Sequence, residues 1–534
     1  MLMIIVATII VVAFFYYYIN KKLNYFKDRG ITQGKPMFLF GHTLGAIIHT
    51  QTWTDVVQSI YDQSPGTRYT GMYNFYYPLL VIKDPELLKQ VAIKDFDHFT
   101  DHITFMPTDG DPLFSKSLFA LQGREWREMR TLLSPCFTSS KMKFMFNLII
   151  EISENFAQYF LKKDEDVIEV EMKNALSRFS SDVIATTACG IQVDSLENPN
   201  NQFYLMGQKS IDFGGIWKNI KFFLYMLVPP IKNIMKIQLF TDDVSTFFRG
   251  LIDEAIKVRE EKGIVRPDMI HILLETRKGT QKEEETNDVD TGFATAQESP
   301  RSLEKGKVNK VLTNEEITAQ ALIFFIAGFD SVSSVMCFTT YELTVNQDVQ
   351  ERLREEVYST WKACKGKLTY DALLQMKYLD MVISETLRKY PINLVIERVC
   401  TKPYTIEPVL PGEIPVDLKV NDAIWLPVYA IHHDPNYYPN PDRFDPDRFS
   451  DENKGDIKPY TYLPFGLGPR NCIGSRFALL MIKAVIFHTL LHFELVPIEK
   501  TVIPLKISKK SFAMNAEGGF WLGFKKTTNG QFTT

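Results

Sequence analysis

Cys472 lies in the run Phe465-Gly466-Leu467-Gly468-Pro469-Arg470-Asn471-Cys472-Ile473-Gly474, and an apolar stretch follows at once (Phe477, Ala478, Leu479, Leu480, Ile482). The glycines and the proline prevent helix before the cysteine, whereas Arg476 through Leu491 reads as helix. Cys472 therefore stands at a helix threshold. There, unpaired amide N–H groups and the positive end of the dipole favour an anionic sulfur. Arg470 adds a cation nearby. A thiolate held this way is a metal ligand or a nucleophile; the alternative is a surface loop with an inert cysteine. The other cysteines (Cys136, Cys189, Cys337, Cys364, Cys400) show neither a CxxC pair nor disulfide-framework spacing, which suits a reducing, cytosolic setting for the main body.

Several elements must position this loop. Thr313-Asn314-Glu315-Glu316 is a capping box that opens a helix running to about Asn346. At 1.5 Å per residue that is roughly 50 Å, enough to cross a whole domain. Mid-run it carries Ala327-Gly328-Phe329-Asp330-Ser331, and the glycine costs about 1 kcal/mol of helix propensity against alanine. The bland reading is a serine bonded back to the carbonyl one turn earlier, with Asp330 in a salt bridge. Trp126 and Arg130 share a helix face, as do Glu385 and Arg388 in the helix predicted over 378–390. Residues 69–83 read as strands, and Asp84-Pro85 starts the next helix.

The first 19 residues are almost wholly apolar and uncharged, then Lys21, Lys22, Lys27 and Arg29 follow. About 20 apolar residues span a bilayer as a helix. The uncharged start, the aromatic tail Phe14-Phe15-Tyr16-Tyr17-Tyr18 and the lack of a small-residue site favour an uncleaved anchor over a signal peptide. The basic residues place the bulk of the chain on the cytoplasmic side. No other segment reads as spanning without charges. Residues 30–42 read as a linker, and the polar stretch 277–310 as a flexible loop. The net charge of −4 and pI near 6.2 leave no nucleic-acid footprint. Length alone would suggest three or four domains.

Phe465, Gly468, Arg470, Cys472 and Gly474 together resemble the haem-binding signature of the cytochromes P-450, the haem-thiolate monooxygenases. The motifs run in family order from about residue 30 to 525, most like the insect microsomal detoxifying members allied to mammalian drug-metabolising enzymes. The resemblance implies a mainly α fold with a smaller β region, with an anchor over 1–20, a linker over 21–45 and one catalytic domain over 46–530. It implies haem b, with Cys472 as axial iron ligand and loop N–H groups bonded to its sulfur. Ala327 and Gly328 would make room beside the iron, and Asp330 with Ser331 would relay protons during oxygen activation. The family more often has threonine at Ser331, so the methyl that restrains the hydroxyl is missing.

By the same resemblance Trp126, Arg130 and Arg398 are propionate donors. His432 is either a further donor or a satisfied core histidine, and His102 falls where some relatives carry an arginine. Glu385, Arg388 and Arg448 should form a buried structural network, with Asp447 where glutamate is common. Phe119, Phe325, Phe329, Leu394, Phe512 and Met514 match pocket-lining places, and 203–235 matches a cavity roof that is either core helix or membrane-dipping. Electrons would come from NADPH through an FAD/FMN reductase, with cytochrome b5 as a further partner. The reductase would meet basic residues such as Arg127, Lys141, Lys143 and Lys483. The expected setting is the endoplasmic reticulum membrane. The expected reaction is hydroxylation, epoxidation or dealkylation of lipophilic small molecules, as detoxification or as oxidation of an endogenous lipid or hormone. A reductase-independent isomerase and a haem-bearing ligand carrier are the rivals, and neither needs an acid–alcohol pair.

Overall fold

The longest element, the helix Asn314–Val345, passes between two hydrophobic cores. Its first half, from Ile317 to Phe329, belongs to one cluster; its second half, from Val332 to Leu343, belongs to the other. Asp330 and Ser331 fall at the changeover. The helix starts where its capping box requires: Thr313 Oγ1 accepts from Glu316 N at 3.2 Å, and Glu316 Oε2 accepts from Thr313 N at 2.9 Å. The structure is a computed structural model that describes residues 1–103, 110–212, 238–263, 266, 268–278, 293–295 and 311–527. The expected loop over 277–310 and most of the expected roof over 203–235 lie outside the described residues; within the latter, Gln202–Ser210 is helix.

Among the described residues the body is mainly helical, with three small sheets. Strands β1 (Tyr69–Asn74), β2 (Tyr77–Ile82), β4 (Ile396–Val399) and β7 (Ala423–Leu426) form one sheet in the order β1-β2-β7-β4. Only the β2–β7 pairing is parallel. β3 (Val167–Glu171), β9 (Trp521–Lys526) and β8 (Phe493–Val496) form an antiparallel sheet in that order, and β5 (Tyr404–Ile406) pairs with β6 (Val416–Leu418). Asp84 caps the helix after β2, its carboxylate accepting from Leu87 N at 2.8 Å.

The N-terminal helix spans Leu2–Leu23, is long and apolar enough to cross a membrane, and its first turns are exposed apolar surface. Its end is docked: Ile19, Leu23 and Phe26 are buried, and Tyr25 Oη donates to Asp422 Oδ2 at 2.9 Å. The stretch after it is likewise tied down, because Gln33 bridges Gly71 and Gly41 bridges Asn74. Gly41 has φ +58°, and a Cβ there would lie 2.3 Å from the carbonyl oxygens of both Tyr73 and Phe75. Only glycine fits so close to the sheet. The expectation of one spanning segment needs a refinement. The helices Asn314–Val345 and Ser475–His492 are also long and apolar enough, but both are largely buried inside the protein.

Candidate active site

Cys472 sits just ahead of the helix Ser475–His492, whose N-cap is Gly474. Its own N–H donates to Phe465 O at 2.8 Å, closing the loop on itself. Gly468 makes that loop possible. It has φ +71°, and a Cβ there would lie 1.9 Å from Ala92 O. The Cys472 side chain is exposed although Asn471 and Ser475 beside it are buried. Burial nevertheless pushes its thiol up, against the Gly474 N–H and the Arg130 guanidinium, which favour the thiolate. Cys472 is thus accessible, yet protein atoms surround its thiol closely enough to disfavour the charged form.

The cation acting on the sulfur is therefore Arg130, not Arg470 as the spacing suggested. Arg130 Nη1 and Nη2 donate to Asn471 O at 3.0 Å and Asn471 Oδ1 at 2.9 Å. That clamp ties the helix Gly123–Leu133 to the cysteine loop. Arg470 turns the other way: Nε donates to Thr100 O and Nη2 to Leu121 O, both at 2.8 Å, and its guanidinium lies 4.0 Å over the Trp126 ring.

Arg130, Arg398 and Arg470 are all buried, and their counter-charges are few. Asp101 is 3.6 Å from Arg470, and Glu397 neighbours Arg398. Arg398 Nη1 and Nη2 donate to Glu397 O and Leu467 O, but its Nε has no hydrogen-bond partner among the described residues. Burial and the adjacent Arg398 drive the Arg470 guanidinium down to about 8; burial drives Arg398 down to about 10. Guanidiniums do not deprotonate in proteins, so these shifts express an unmet demand for anions. Burial also lifts the Glu397 carboxyl to about 7, which weakens the nearest internal counter-charge. His102, 3.6 Å from Glu397, is held neutral by burial and by Arg398 and Arg470. A ligand bringing two carboxylates beside an axial thiolate satisfies this donor set, and haem b is such a ligand.

A family model for cytochrome P450 matches residues 33–522. Cytochrome P450 9e2 of Blattella germanica is 43% identical over 95% of this chain and 94% of its own length. Probable cytochrome P450 9f2 of Drosophila melanogaster is 41% identical, over 93% of this chain and 94% of its own. Cytochrome P450 6k1 of Blattella germanica is 35% identical over 95% and 94%. The chain belongs to the cytochrome P450 family. Its cofactor is thus haem b, and its electrons come from NADPH through a flavoprotein reductase.

Around Asp330 the long helix shows the contacts of the bland reading, a serine bonded back one turn and the acid in a salt bridge. Ala327 is exposed and Ile323, Phe324, Gly328 and Ser331 are part-buried, so these mark its open side. Ser331 Oγ donates back to Ala327 O, and Asp330 Oδ1 is 2.8 Å from Lys173 Nζ. The acid and the alcohol are thus parked on separate partners. Gly328 has a packing role besides: a Cβ there would lie 2.8 Å from Ile184 Cδ1 on the helix Met172–Ile184.

Several predicted pocket residues lie elsewhere. Phe325 and Phe329 are buried on the opposite face of the long helix, stacked on each other at 5.1 Å. Phe203 lies 5.1 Å from Phe325, and Tyr204 lies 5.8 Å from Phe329. The phenylalanine on the open face is Phe324, set against Phe137 at 5.3 Å; helical periodicity alone would have separated it from its neighbours. Phe512 is 59% exposed and packs edge-on against Trp53, whereas Leu394 and Met514 are buried. Phe119 is 44% exposed and stacks on His102 beside the arginine cluster.

Glu385, Arg388 and Arg448 lie together. Arg388 Nε and Nη2 donate to Glu385 Oε2 and Oε1 at 2.8 and 2.9 Å, and Arg448 Nε is 3.5 Å from Oε1. His432 is a core histidine: its Nδ1 faces Arg388 O at 3.1 Å and its Nε2 accepts from Leu463 N at 2.8 Å. In the expected reductase patch, Arg127 pairs with Asp97 and Lys143 lies 3.5 Å from Asp371. Lys483 is fully buried on Asp380 at 3.0 Å, so it offers nothing to a partner.

Proposed function

We propose that this P450 oxidises bulky lipophilic foreign compounds at the endoplasmic reticulum membrane. In this reading the helix Leu2–Leu23 is a single-pass anchor, the catalytic body is cytosolic, and cytochrome b5 is an accessory electron donor. One observation carries the substrate class. The open face of the long helix next to Asp330 is built from Ile323, Phe324, Ala327 and Gly328, an apolar wall without a fixed cation or anion. Such a wall selects by size and apolarity more than by matched polar groups.

Bound haem activates dioxygen, and overall one oxygen atom enters the substrate while the other leaves as water, with two electrons and two protons consumed. The chain's own residues supply the rest. Cys472 offers the sulfur, and the Gly474 N–H steadies its negative charge. Arg130 fixes the loop through Asn471, while Arg398 and Arg470 with Trp126 receive the carboxylates. Asp330 and Ser331 hold and pass protons, Ser331 from the hydroxyl that now rests on Ala327 O.

The test is turnover by holoenzyme with reductase in vesicles, against plant toxins, insecticides, fatty acids and ecdysteroid-like sterols. Oxidation of several unrelated bulky compounds is expected. Turnover of one sterol or one fatty acid alone would replace this reading with hormone or lipid metabolism.

A further inference from the structure

A cavity of about 580 Å³ opens between the helix Ser139–Leu161, the helix Met172–Ile184 and the chain from Gln192 to Glu197, with Arg266 at its edge. None of its lining residues belongs to the haem site. Its volume lies within the roughly 300–1,000 Å³ of small-molecule sites. Helix periodicity builds its walls. Ile152, Phe156 and Tyr159 repeat along one face of the first helix, and Phe179 and Asp182 along the facing side of the second. Phe156 and Phe179 pack edge to face at 5.7 Å, and Tyr159 is part-buried in the same wall. The cavity therefore has an aromatic floor.

Its charges are unbalanced. Glu151, Asp182, Asp194 and Glu197 line it against two bases, Lys162 and Arg266. Both bases are engaged. Lys162 Nζ is 3.0 Å from Glu197 Oε1. Arg266 Nη1 and Nη2 donate to Gly190 O at 2.8 Å and Thr186 O at 3.4 Å, and its Nε lies 3.7 Å from Asp268 Oδ2. Asp194 Oδ1 accepts from Glu197 N at 3.0 Å. Among the described residues, neither Glu151 nor Asp182 forms an ion pair. Asp182 is buried, and Ser195 N and Oγ donate to it. Burial nevertheless pushes its carboxyl up to about 7, and Asp194 adds to the rise. The Arg178 guanidinium opposes it but is spent on Asn174 Oδ1, Ser195 O and Pro199 O. A buried carboxylate with neutral donors and no paired cation is an unmet demand for positive charge.

From this geometry we propose that the cavity is a second ligand site, separate from the haem site, for small organic monocations with an aromatic or branched alkyl body. The body lies on Phe156, Phe179 and Tyr159, and aromatic rings themselves attract a cation. The charge faces Asp182 and Glu151. A cationic group that also carries phosphate, as a lipid headgroup does, is repelled by the four acids. Free amines and quaternary ammoniums remain. The inference is independent of which compounds the haem site oxidises. Affinity rises with pH as Asp182 ionises, and the bound cation in turn holds that carboxyl ionised.

The test is titration calorimetry of haem-loaded enzyme whose iron is occupied by a tight azole ligand, with benzyltrimethylammonium as the probe. The probe's charge is permanent, so a pH dependence belongs to the protein. N,N-dimethylbenzamide, neutral and of similar size, is the control. One site is expected, about tenfold tighter at pH 8.5 than at pH 5.5, a modest factor because the open cavity screens the charge. The amide should bind about tenfold more weakly than the probe at pH 8.5. Asp182→Asn, which keeps both Ser195 contacts, should lose the pH slope and bind the probe about tenfold more weakly at pH 8.5. Glu151→Gln should bind it about threefold more weakly and keep the slope. Absence of saturable binding, equal binding of the amide, or a flat pH profile in the wild type would each overturn the proposal, whatever the variants do. An Asp182→Asn protein with wild-type affinity and slope would overturn it as well.

Discussion

Gly468→Ala is expected to collapse haem loading, and the neighbouring Gly466→Ala is its internal control. Both glycines have positive φ, +71° and +85°, so alanine at either incurs the left-handed backbone penalty of about 1–2 kcal/mol. The surroundings differ. A Cβ at Gly466 would meet Asn471 Cα at 3.5 Å, ordinary contact, whereas at Gly468 it would lie 1.9 Å from Ala92 O. Ala92 is fully buried, so its backbone cannot yield cheaply, and the cysteine loop must retreat by roughly an ångström or more. Overpacking of this kind adds about 1–3 kcal/mol, for a total near 2–5 kcal/mol at Gly468 against about 1–2 at Gly466. The assay is thiolate-type haem per mole of protein from the reduced carbon monoxide difference spectrum, together with the thermal midpoint. Gly468→Ala should lose most of both and Gly466→Ala should be mildly impaired. Equal behaviour of the two variants would refute the argument that the 465–474 loop is pressed against Ala92.

Burial lifts the buried Asp182 to about 7, while Ser195 N and Oγ donate to its carboxylate and oppose the shift. A raised acid favours folding when protonated, so its penalty is absent below the ordinary carboxylate pKa of 3.8 and complete above about 7. Asp182→Asn, which keeps both Ser195 contacts, should therefore stabilise the protein at pH 8, by at most roughly 4 kcal/mol, and the gain should vanish towards pH 4 in thermal or denaturant unfolding. Arg388→Ala removes the bidentate partner of the buried Glu385 carboxylate, leaving it only Arg448 at 3.5 Å and Asp445 N, and should lower stability by about 3 kcal/mol, read as loss of folded holoenzyme. Phe329→Ala should lower stability by about 3–5 kcal/mol with little change in substrate preference, whereas Phe324→Ala should shift the product pattern and destabilise less, as measured by unfolding and product analysis.

The sequence disclosed what depends on local chemistry. The capping box at Thr313, the Asp84 cap and the glycines around Cys472 act within a few residues of themselves, so the long helix and the cysteine loop could be drawn from the sequence alone. Side-chain direction was less legible. Arg470 is two positions from Cys472 yet turns to Trp126, because a guanidinium follows its acceptors, here the carbonyls of Thr100 and Leu121. Phe325 and Phe329 were assigned to the pocket by the family resemblance, but which face of the helix is covered is decided by the neighbouring helices at Phe203 and Phe248. Lys173 was invisible for the same reason: its partners lie far along the chain, and no motif marks it. Lys483 reads as a surface charge in sequence, and only the packed structure reveals Asp380 opposite it.

The central claim is that Cys472 is the sole axial thiolate of a P450 haem site. The reduced carbon monoxide difference spectrum of wild type beside Cys472→His tests it most directly. Wild type should give the thiolate-type Soret band, and Cys472→His should keep haem while converting the band to the imidazole type. A wild-type protein without the thiolate band, or a variant that retains it, would contradict the account.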